Sequence, residues 1–131
     1  MSLTFAGGSH HTVPIELRER LAFSAEQAAA ALDRFRREFP GNEAVLLSTC
    51  NRVELYAAAE QRQGPPPPAE LAMFLAECRG VELAAVSSVL AGDRGPAAVK
   101  HLFSVAAGLD SMVLGEPQIV AQVKQAWQLA V

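Results

Sequence analysis

The stretch AVLLSTCNRVELYA, residues 44–57, decides the fold of this chain. Residues 44–47 form an apolar run typical of a buried strand. Residues 53–57 alternate apolar with polar side chains, which predicts a second strand with a core side and a more polar side. Because only a short polar gap separates the two runs, we predict a β-hairpin whose turn carries Cys50.

Upstream of the hairpin, the sequence predicts one strand and one strong helix. The strand covers residues 3–8, and the two glycines at its end break it. A connection follows, in which Pro14 disfavours regular structure. The helix begins at Ser24, because Ser24 and Gln27 have the spacing of a capping box.

Downstream of the hairpin, three prolines mark the starts of three further helices, at positions 68, 96 and 117. The first of these helices has an apolar stripe that includes Cys78, so we predict that this thiol packs against the core. Residues 86–90 are predicted to form a fourth strand, followed by a turn. The predicted core stripes of the last two helices are Val99, Leu102, Phe103 and Ala106, and then Ile119, Val123, Ala126, Trp127 and Ala130.

The order of these elements is strand, helix, strand, strand, helix, strand and two helices. It predicts an α+β fold, with a ferredoxin-like βαββαβ sheet that has helices on one face, plus C-terminal helices. We assign residues 1–114 to this ferredoxin-like domain and residues 115–131 to the start of a long linker helix. The apolar stripe of the last helix continues without a glycine or proline stop, so we expect an N-terminal piece of a longer protein.

Composition excludes several classes of protein. Half of the 131 residues are hydrophobic and 19% are charged, which indicates a folded globular chain. A net charge of −3 argues against a strongly basic nucleic-acid binder. Apolar runs fall far short of the roughly 20 residues that span a bilayer. Two cysteines make no disulfide framework, so we expect a cytoplasmic protein that does not enter the membrane.

Cys50 has two interpretations that its spacing leaves open. It is either a small residue tucked under a hairpin or a nucleophile held on the turn. A cysteine attacks as its thiolate, and Arg52 supplies a positive charge two positions away. His101 lies off the predicted stripe of its helix, and imidazole suits proton transfer near neutral pH, although a surface or capping role is the alternative.

A polar cluster surrounds the predicted start of the last helix, and it could hold an anion or a carbonyl oxygen. A solvated face with ordinary capping is the alternative interpretation. No spacing of cysteine and histidine matches a zinc site, so we predict no metal. The glycine-rich loops that cradle the phosphates of dinucleotides and nucleotides are also missing from the sequence. The members of the polar cluster at the start of the last helix are Ser111, Glu116, Gln118 and Gln122.

Three segments of the chain together closely resemble the glutamyl-tRNA reductase family. They are GGSHHTVPIELRERLAF (residues 7–23), STCNRVELY (48–56) and KHLFSVAAGLDSMVLGEPQIVAQVKQAW (100–127). They occur in the family's order and cover most of the chain outside the variable residues 61–99. The two longer motifs are highly specific.

The resemblance implies an N-terminal catalytic domain for the first step of tetrapyrrole synthesis from glutamate. The family attacks glutamyl-tRNA with a cysteine, forms a thioester and reduces it with NADPH to glutamate-1-semialdehyde. NADPH is expected in a downstream domain absent from this chain, with no cofactor bound here. A spinal helix and a dimerisation domain would follow, which implies a homodimer, with glutamate-1-semialdehyde aminotransferase as a candidate partner.

The resemblance also implies roles for individual residues. Cys50 would be the nucleophile, and His101 matches the family's activity-important histidine. Arg52 would clasp the carboxylate of the substrate, because its planar fork fits a carboxylate better than lysine does. The remaining positions that match substrate-contacting residues of the family are Thr49, Asn51, Ser111, Glu116, Pro117, Gln118 and Gln122.

Two departures and two alternatives accompany this interpretation. Many members carry a second histidine where this chain has Asp93, and Ser9 stands where asparagine is common. The first departure puts a two-histidine mechanism in doubt. A non-catalytic ferredoxin-like module that binds RNA or protein is the main alternative function, although few aromatic residues are present to stack on bases. A stand-alone thiol esterase is the second alternative.

Overall fold

The computed structural model describes residues 2–60, 62–109 and 117–130 of the chain. Four strands and six helices lie within these described residues. In chain order they are β1 (Ser2–Ser9), α1 (Ile15–Leu21), α2 (Ala25–Glu38), β2 (Glu43–Ser48), β3 (Arg52–Ala59), α3 (Pro68–Arg79), α4 (Leu83–Val86), β4 (Ala91–Arg94), α5 (Pro96–Ala106) and α6 (Pro117–Ala130).

The four strands form one antiparallel sheet in the order β2-β3-β1-β4. This is the strand order of the ferredoxin-like βαββαβ motif, so the predicted fold class is confirmed. The predicted hairpin is present, with Ser48 opposite Val53. Strand β1 pairs with the other side of β3 and places Ser9 opposite Arg52 and Gly7 opposite Glu54.

One face of the sheet, the core face, packs against α2 and α3. Its strand residues are apolar and almost fully buried: Ala6, Leu46, Val53, Leu55 and Ala57. From the helices, Phe35 and Phe74 meet edge to face with their ring centroids 5.3 Å apart. The predicted capping box is confirmed, because Gln27 N–H donates to Ser24 Oγ and Ser24 N–H donates to the Gln27 side chain.

The opposite side of the sheet, the second face, packs against α5 and α6. Leu47 lies in a small apolar cluster with Val105, Ile119 and Ala126. Phe5 and Tyr56 lie in another cluster with Ala98. The C-terminal helices therefore cover the side of the sheet that α2 and α3 leave open. The predicted domain boundary at residue 114 lies outside the described residues and stays a prediction.

The predicted fourth strand was misplaced. Residues 86–90 are the end of α4 and a turn, and the strand is β4, the sequence AGDR that was expected to be a turn. All four residues of β4 are exposed, so no apolar pattern announces the strand. Pairing with β1 holds this strand in place. At Gly92 a Cβ atom would come within 2.4 Å of Pro68 Cβ, so a larger residue would clash with the start of α3.

Two expectations for the N-terminal region were wrong. Helix α1 begins directly after Pro14, where irregular structure was expected, because proline at a helix start loses no helical hydrogen bond. Gly7 and Gly8 do not break β1 but lie within it. At Gly7 a Cβ atom would come within 2.3 Å of the Val53 carbonyl oxygen, so a glycine is required there for β1 and β3 to approach.

The predicted core stripe of α5 was wrong at two of its four positions, since Leu102 and Ala106 are half-buried and Leu102 packs against the second face. Val99 and Phe103 are exposed and line an open groove of about 1030 Å³, whereas Ala98 and Val105 face the sheet. The helix is thus rotated relative to the prediction, which turns His101 toward the sheet. In α6, the predicted stripe is buried or half-buried at Ile119, Val123, Ala126 and Ala130, but Trp127 is exposed.

Candidate functional site

Cys50 is exposed on the turn between β2 and β3. Two hydrogen bonds fix this turn: Thr49 N–H donates to the Arg52 carbonyl oxygen (2.9 Å), and Asn51 N–H donates to Thr49 Oγ1 (3.1 Å). The hairpin therefore presents the thiol on an ordered backbone. Of the two interpretations that the sequence left open, the position on an exposed turn disfavours a thiol tucked under the hairpin.

The end of β1 supports the turn from one side. His10 N–H donates to the Asn51 carbonyl oxygen over 2.7 Å. The rings of His10 and His11 lie against each other with their centroids 4.0 Å apart. Two imidazoles thus occupy the loop that is hydrogen-bonded to the turn, as the order of the strands requires.

Helix α6 supports the turn from the other side and completes a small cleft, which we call the thiol cleft. Gln118 and Gln122 are one helical turn apart, so they lie on the same side of α6. The described residues that line the thiol cleft are Thr49, Cys50, Asn51, Arg52, Gln118, Ile119 and Gln122. Six residues predicted for the site, separated by more than 60 positions in the sequence, thus meet in one cleft. Pro117 begins α6, whereas Ser111 and Glu116 lie outside the described residues.

Arg52 also lines this cleft, although only 1% of the residue is exposed. Its Nη1 is 3.5 Å from Glu54 Oε1, and Glu54 is 2% exposed. Charged groups lose hydration when buried, and a close opposite charge offsets part of that loss. The Glu54 carboxylate therefore both compensates and orients the guanidinium group.

Glu54 is the centre of a buried polar network on the second face. The Tyr56 hydroxyl donates to Glu54 Oε1 over 3.0 Å, and His101 Nε2 forms a hydrogen bond with Glu54 Oε2. The imidazole also stacks on Phe5, with ring centroids 4.2 Å apart and planes 7° from parallel. These contacts fix both the position and the plane of the His101 ring.

His101 is not among the described residues that line the thiol cleft. It is connected to Arg52 through Glu54 instead, so the structure joins the histidine to the site by one intermediate side chain. The sequence prediction missed Glu54 and Tyr56 as parts of the site. Their two-residue spacing from Arg52 was the available signal, because alternate residues of a strand share a face.

The described residues contain no group of three or more histidine, cysteine, aspartate or glutamate side chains that could hold a metal ion. None of the helices in the described part of the chain is long and apolar enough to cross a membrane. Both cysteines are unpaired. The thiol cleft combines an exposed thiol with a buried guanidinium group and helix-borne amides, a set that suits nucleophilic attack by sulfur.

Comparisons with known proteins agree with this arrangement. Residues 6–131 match the family model described as "Glutamyl-tRNAGlu reductase, N-terminal domain". The chain is 47% identical over 130 residues to a glutamyl-tRNA reductase of Xanthomonas campestris, covering 99% of this chain and 28% of that protein. It is 45% identical to that of Marinobacter nauticus, covering 99% of this chain and 29% of that protein.

A solved structure has the same fold. It is titled "Glutamyl-tRNA Reductase from Methanopyrus kandleri" and superimposes with a TM-score of 0.73 at 32% identity. The match covers 98% of this chain and 28% of that one. The chain therefore spans less than a third of the length of the relatives it matches.

Proposed function

The chain belongs to the glutamyl-tRNA reductase family, and we propose that it performs the acyl-transfer half of that reaction. Cys50 attacks the ester carbon of glutamyl-tRNA as its thiolate. A carbon–sulfur bond forms, the ester carbon–oxygen bond breaks, and the terminal ribose leaves as an alcohol after taking a proton. The product on the protein is a glutamyl thioester, which stays electrophilic for later reduction.

The observation that carries this proposal is the exposed thiol beside a buried guanidinium group in one cleft. Arg52 receives the side-chain carboxylate of the glutamyl group, because a guanidinium fork pairs with a carboxylate through two hydrogen bonds. Thr49, Asn51, Gln118 and Gln122 surround the reacting carbonyl and supply polar contacts. Pro117, Ser111 and Glu116 stay predicted substrate contacts.

We assign His101 a positioning role in this proposal. Its Nε2 bonds Glu54, and Glu54 pairs with Arg52, so the imidazole supports the carboxylate that orients the guanidinium group. This differs from the direct proton transfer that the chemistry of imidazole suggested from the sequence. The Glu54 carboxylate thus connects His101 to Arg52, and in this proposal the thiol cleft depends on both of these residues.

We propose that NADPH binds outside the described residues of this chain. The sheet is antiparallel and the sequence lacks the glycine-rich loop, whereas dinucleotide folds place such a loop between a parallel strand and a helix. We therefore assign the reduction to glutamate-1-semialdehyde to the part of the longer relatives that this chain does not match. The homodimer, the aminotransferase partner and the cytoplasmic setting stay predictions.

Two cysteine variants test the acyl transfer. Cys50→Ser removes the sulfur from the turn, and Cys78→Ser removes the other sulfur, which packs against the core. After incubation with glutamyl-tRNA, mass spectrometry of the intact protein should show one added glutamyl group in the unsubstituted chain and in Cys78→Ser. Cys50→Ser should show none. An adduct that persists in Cys50→Ser and disappears in Cys78→Ser would reverse the assignment.

A further inference from the structure

A second cleft adjoins the thiol cleft and runs between α2, β2 and α6. Its volume is about 480 Å³, which is within the range of sites for small molecules. Gln122 lines both clefts, and Ser48, two positions before Cys50, lines the second one. We call it the adjoining cleft.

The proposed acyl transfer requires space in this direction, and the inference rests on that proposal. When the ester carbon lies at Cys50 and the glutamyl carboxylate reaches Arg52, the ester oxygen still belongs to the terminal ribose of the tRNA. Arg52 lines the thiol cleft and is almost fully buried. The nucleoside therefore extends away from Arg52 in this proposal, and the adjoining cleft, which shares Gln122 with the thiol cleft, provides space for it.

The lining of the adjoining cleft suits an uncharged nucleoside. None of the described residues that line it is charged, which disfavours a phosphate as the occupant. The Phe23 ring lines the cleft, packs partly against the core and has the Arg79 guanidinium 5.5 Å from its centroid. Phe23 N–H donates to Ser48 Oγ over 2.9 Å, which ties this residue to β2. Aromatic rings stack on bases, and glutamine amides pair with the N6 and N7 edge of adenine. Gln122 and Gln125 supply two such amides from α6.

We propose that the adjoining cleft binds the 3′-terminal adenosine of the aminoacyl-tRNA. The ribose lies beside Gln122, next to the thiol, and the base extends toward Phe23 and Gln125. The start of α2 forms one wall, through Ser24 and Ala25. The two clefts thus divide the end of the substrate, one taking the acyl group and the other the leaving nucleoside.

Two pairs of matched variants test this assignment. Ala25→Trp fills the adjoining cleft from an exposed position in the first turn of α2, and Ala30→Trp places the same side chain at an exposed position of α2 outside the lining. Gln125→Ala removes an amide from the cleft, and Gln128→Ala removes one from an exposed position of α6 outside it. Circular dichroism confirms that each variant is folded.

The acyl donors distinguish the two clefts. One donor is glutamyl-tRNA, and the other is a benzyl thioester of the glutamate α-carboxyl group, which lacks a nucleoside. We expect Ala25→Trp to slow acylation of Cys50 by glutamyl-tRNA about tenfold or more, as for the loss of one stacked base, and to leave the benzyl thioester unaffected. Gln125→Ala should have a smaller effect with the same selectivity, and the two controls should have none. Equal slowing with both donors, or no slowing with either, overturns the assignment.

A binding measurement separates this inference from the proposed acyl transfer. Adenosine is titrated into the Cys50→Ser chain, which cannot form a thioester, and followed by NMR. The expected result is a set of shifts at the amides of Ser24 and Gln125 that Ala25→Trp abolishes. If adenosine shifts these amides while the unsubstituted chain accepts no glutamyl group, the cleft assignment stands and the acyl-transfer proposal fails. Shifts elsewhere, or shifts that survive Ala25→Trp, overturn the cleft assignment.

Discussion

The two faces of strand β3 differ in chemistry although their residues alternate along one short segment. Val53, Leu55 and Ala57 point into the apolar core against α2 and α3. Arg52, Glu54 and Tyr56 point to the second face and are just as buried, under α5 and α6. The same strand thus carries the core of the fold on one side and the buried part of the site on the other.

The comparison shows that burial affects the free energy of unfolding differently on the two faces. Removing apolar area from water stabilises the folded chain by about 25 cal/mol per Å². Burying an ion pair gives little net stability, because desolvation offsets the attraction between the charges. The core face therefore supports the fold, whereas the second face holds charged groups in the geometry that the thiol cleft requires.

Glu54→Ala should have the largest effect, because it acts on both stability and acylation. It leaves Arg52 buried without this carboxylate, and breaking a buried pair costs about 3–5 kcal/mol of the free energy of unfolding. Urea denaturation measures the loss, and acylation of Cys50 by glutamyl-tRNA should fall with it. The double variant Arg52→Met, Glu54→Leu should recover much of the stability but none of the acylation. Recovery of acylation in the double variant would contradict the role of Arg52.

Leu55→Ala changes the core face of β3, at the position next to Glu54. Leu55 is 1% exposed, so the substitution leaves a cavity and should cost about 2–5 kcal/mol of the free energy of unfolding. The acylation rate per folded molecule should stay unchanged under conditions where the variant is folded. A loss of acylation as large as that of Glu54→Ala would show that the two faces are not separable.

Tyr56→Phe gives a smaller effect confined to the second face. It removes the hydroxyl that donates to Glu54 Oε1 but keeps the ring stacked on Phe5, where the centroids are 5.5 Å apart. Loss of a hydrogen bond to a charged group should cost about 1.5–3 kcal/mol of the free energy of unfolding. Binding of glutamate, measured by calorimetry, should weaken because Glu54 no longer holds Arg52 as firmly. Unchanged binding would confine the network's role to stability.

The smallest expected effect is a difference in reactivity between the two cysteines, one exposed at the site and the other packed against the core. Cys78 packs against the core, and burial raises the pKa of its thiol, although Arg34 at 3.9 Å opposes the shift. Iodoacetamide should therefore label Cys50 first, and Cys78 should react only at higher pH than an ordinary thiol. Because the folded chain holds the Cys78 proton more tightly, its contribution to stability is complete below the ordinary thiol pKa and is lost as pH rises through the raised one. Mass spectrometry after labelling checks the order, and equal rates in the folded chain would contradict it.

The sequence predicted the hairpin and the capping box because each depends on local chemistry. The turn at Cys50 lies between two strand patterns, and Ser24 and Gln27 contact each other over three positions. Strand β4 was missed because its pairing with β1, rather than its own side chains, makes it a strand. Six of the seven described residues that line the thiol cleft had been predicted as site residues. The seventh, Ile119, had been predicted only as part of the core.

Glu54 was not predicted as part of the site, for a different physical reason. A charged residue in an alternating strand is normally assigned to the solvent side, and only the docking of α5 turns that side into an interior. The rotation of α5 could not be predicted, because two of its large apolar residues, Val99 and Phe103, are exposed. Ala98 and Val105 are fully buried against the sheet instead, and His101 contacts Glu54.

The arrangement of the thiol cleft has a consequence for the newly synthesised chain. Cys50 and Arg52 belong to one hairpin, and hairpins form within microseconds, whereas Gln118 follows Cys50 by 68 positions. At the usual speed of translation, these positions take roughly 3–14 s to synthesise. Throughout that interval Cys50 and Arg52 are already part of the nascent chain, whereas α6 is not. The thiol cleft is therefore completed only after α6 has been synthesised, because Gln118, Ile119 and Gln122 form part of its lining.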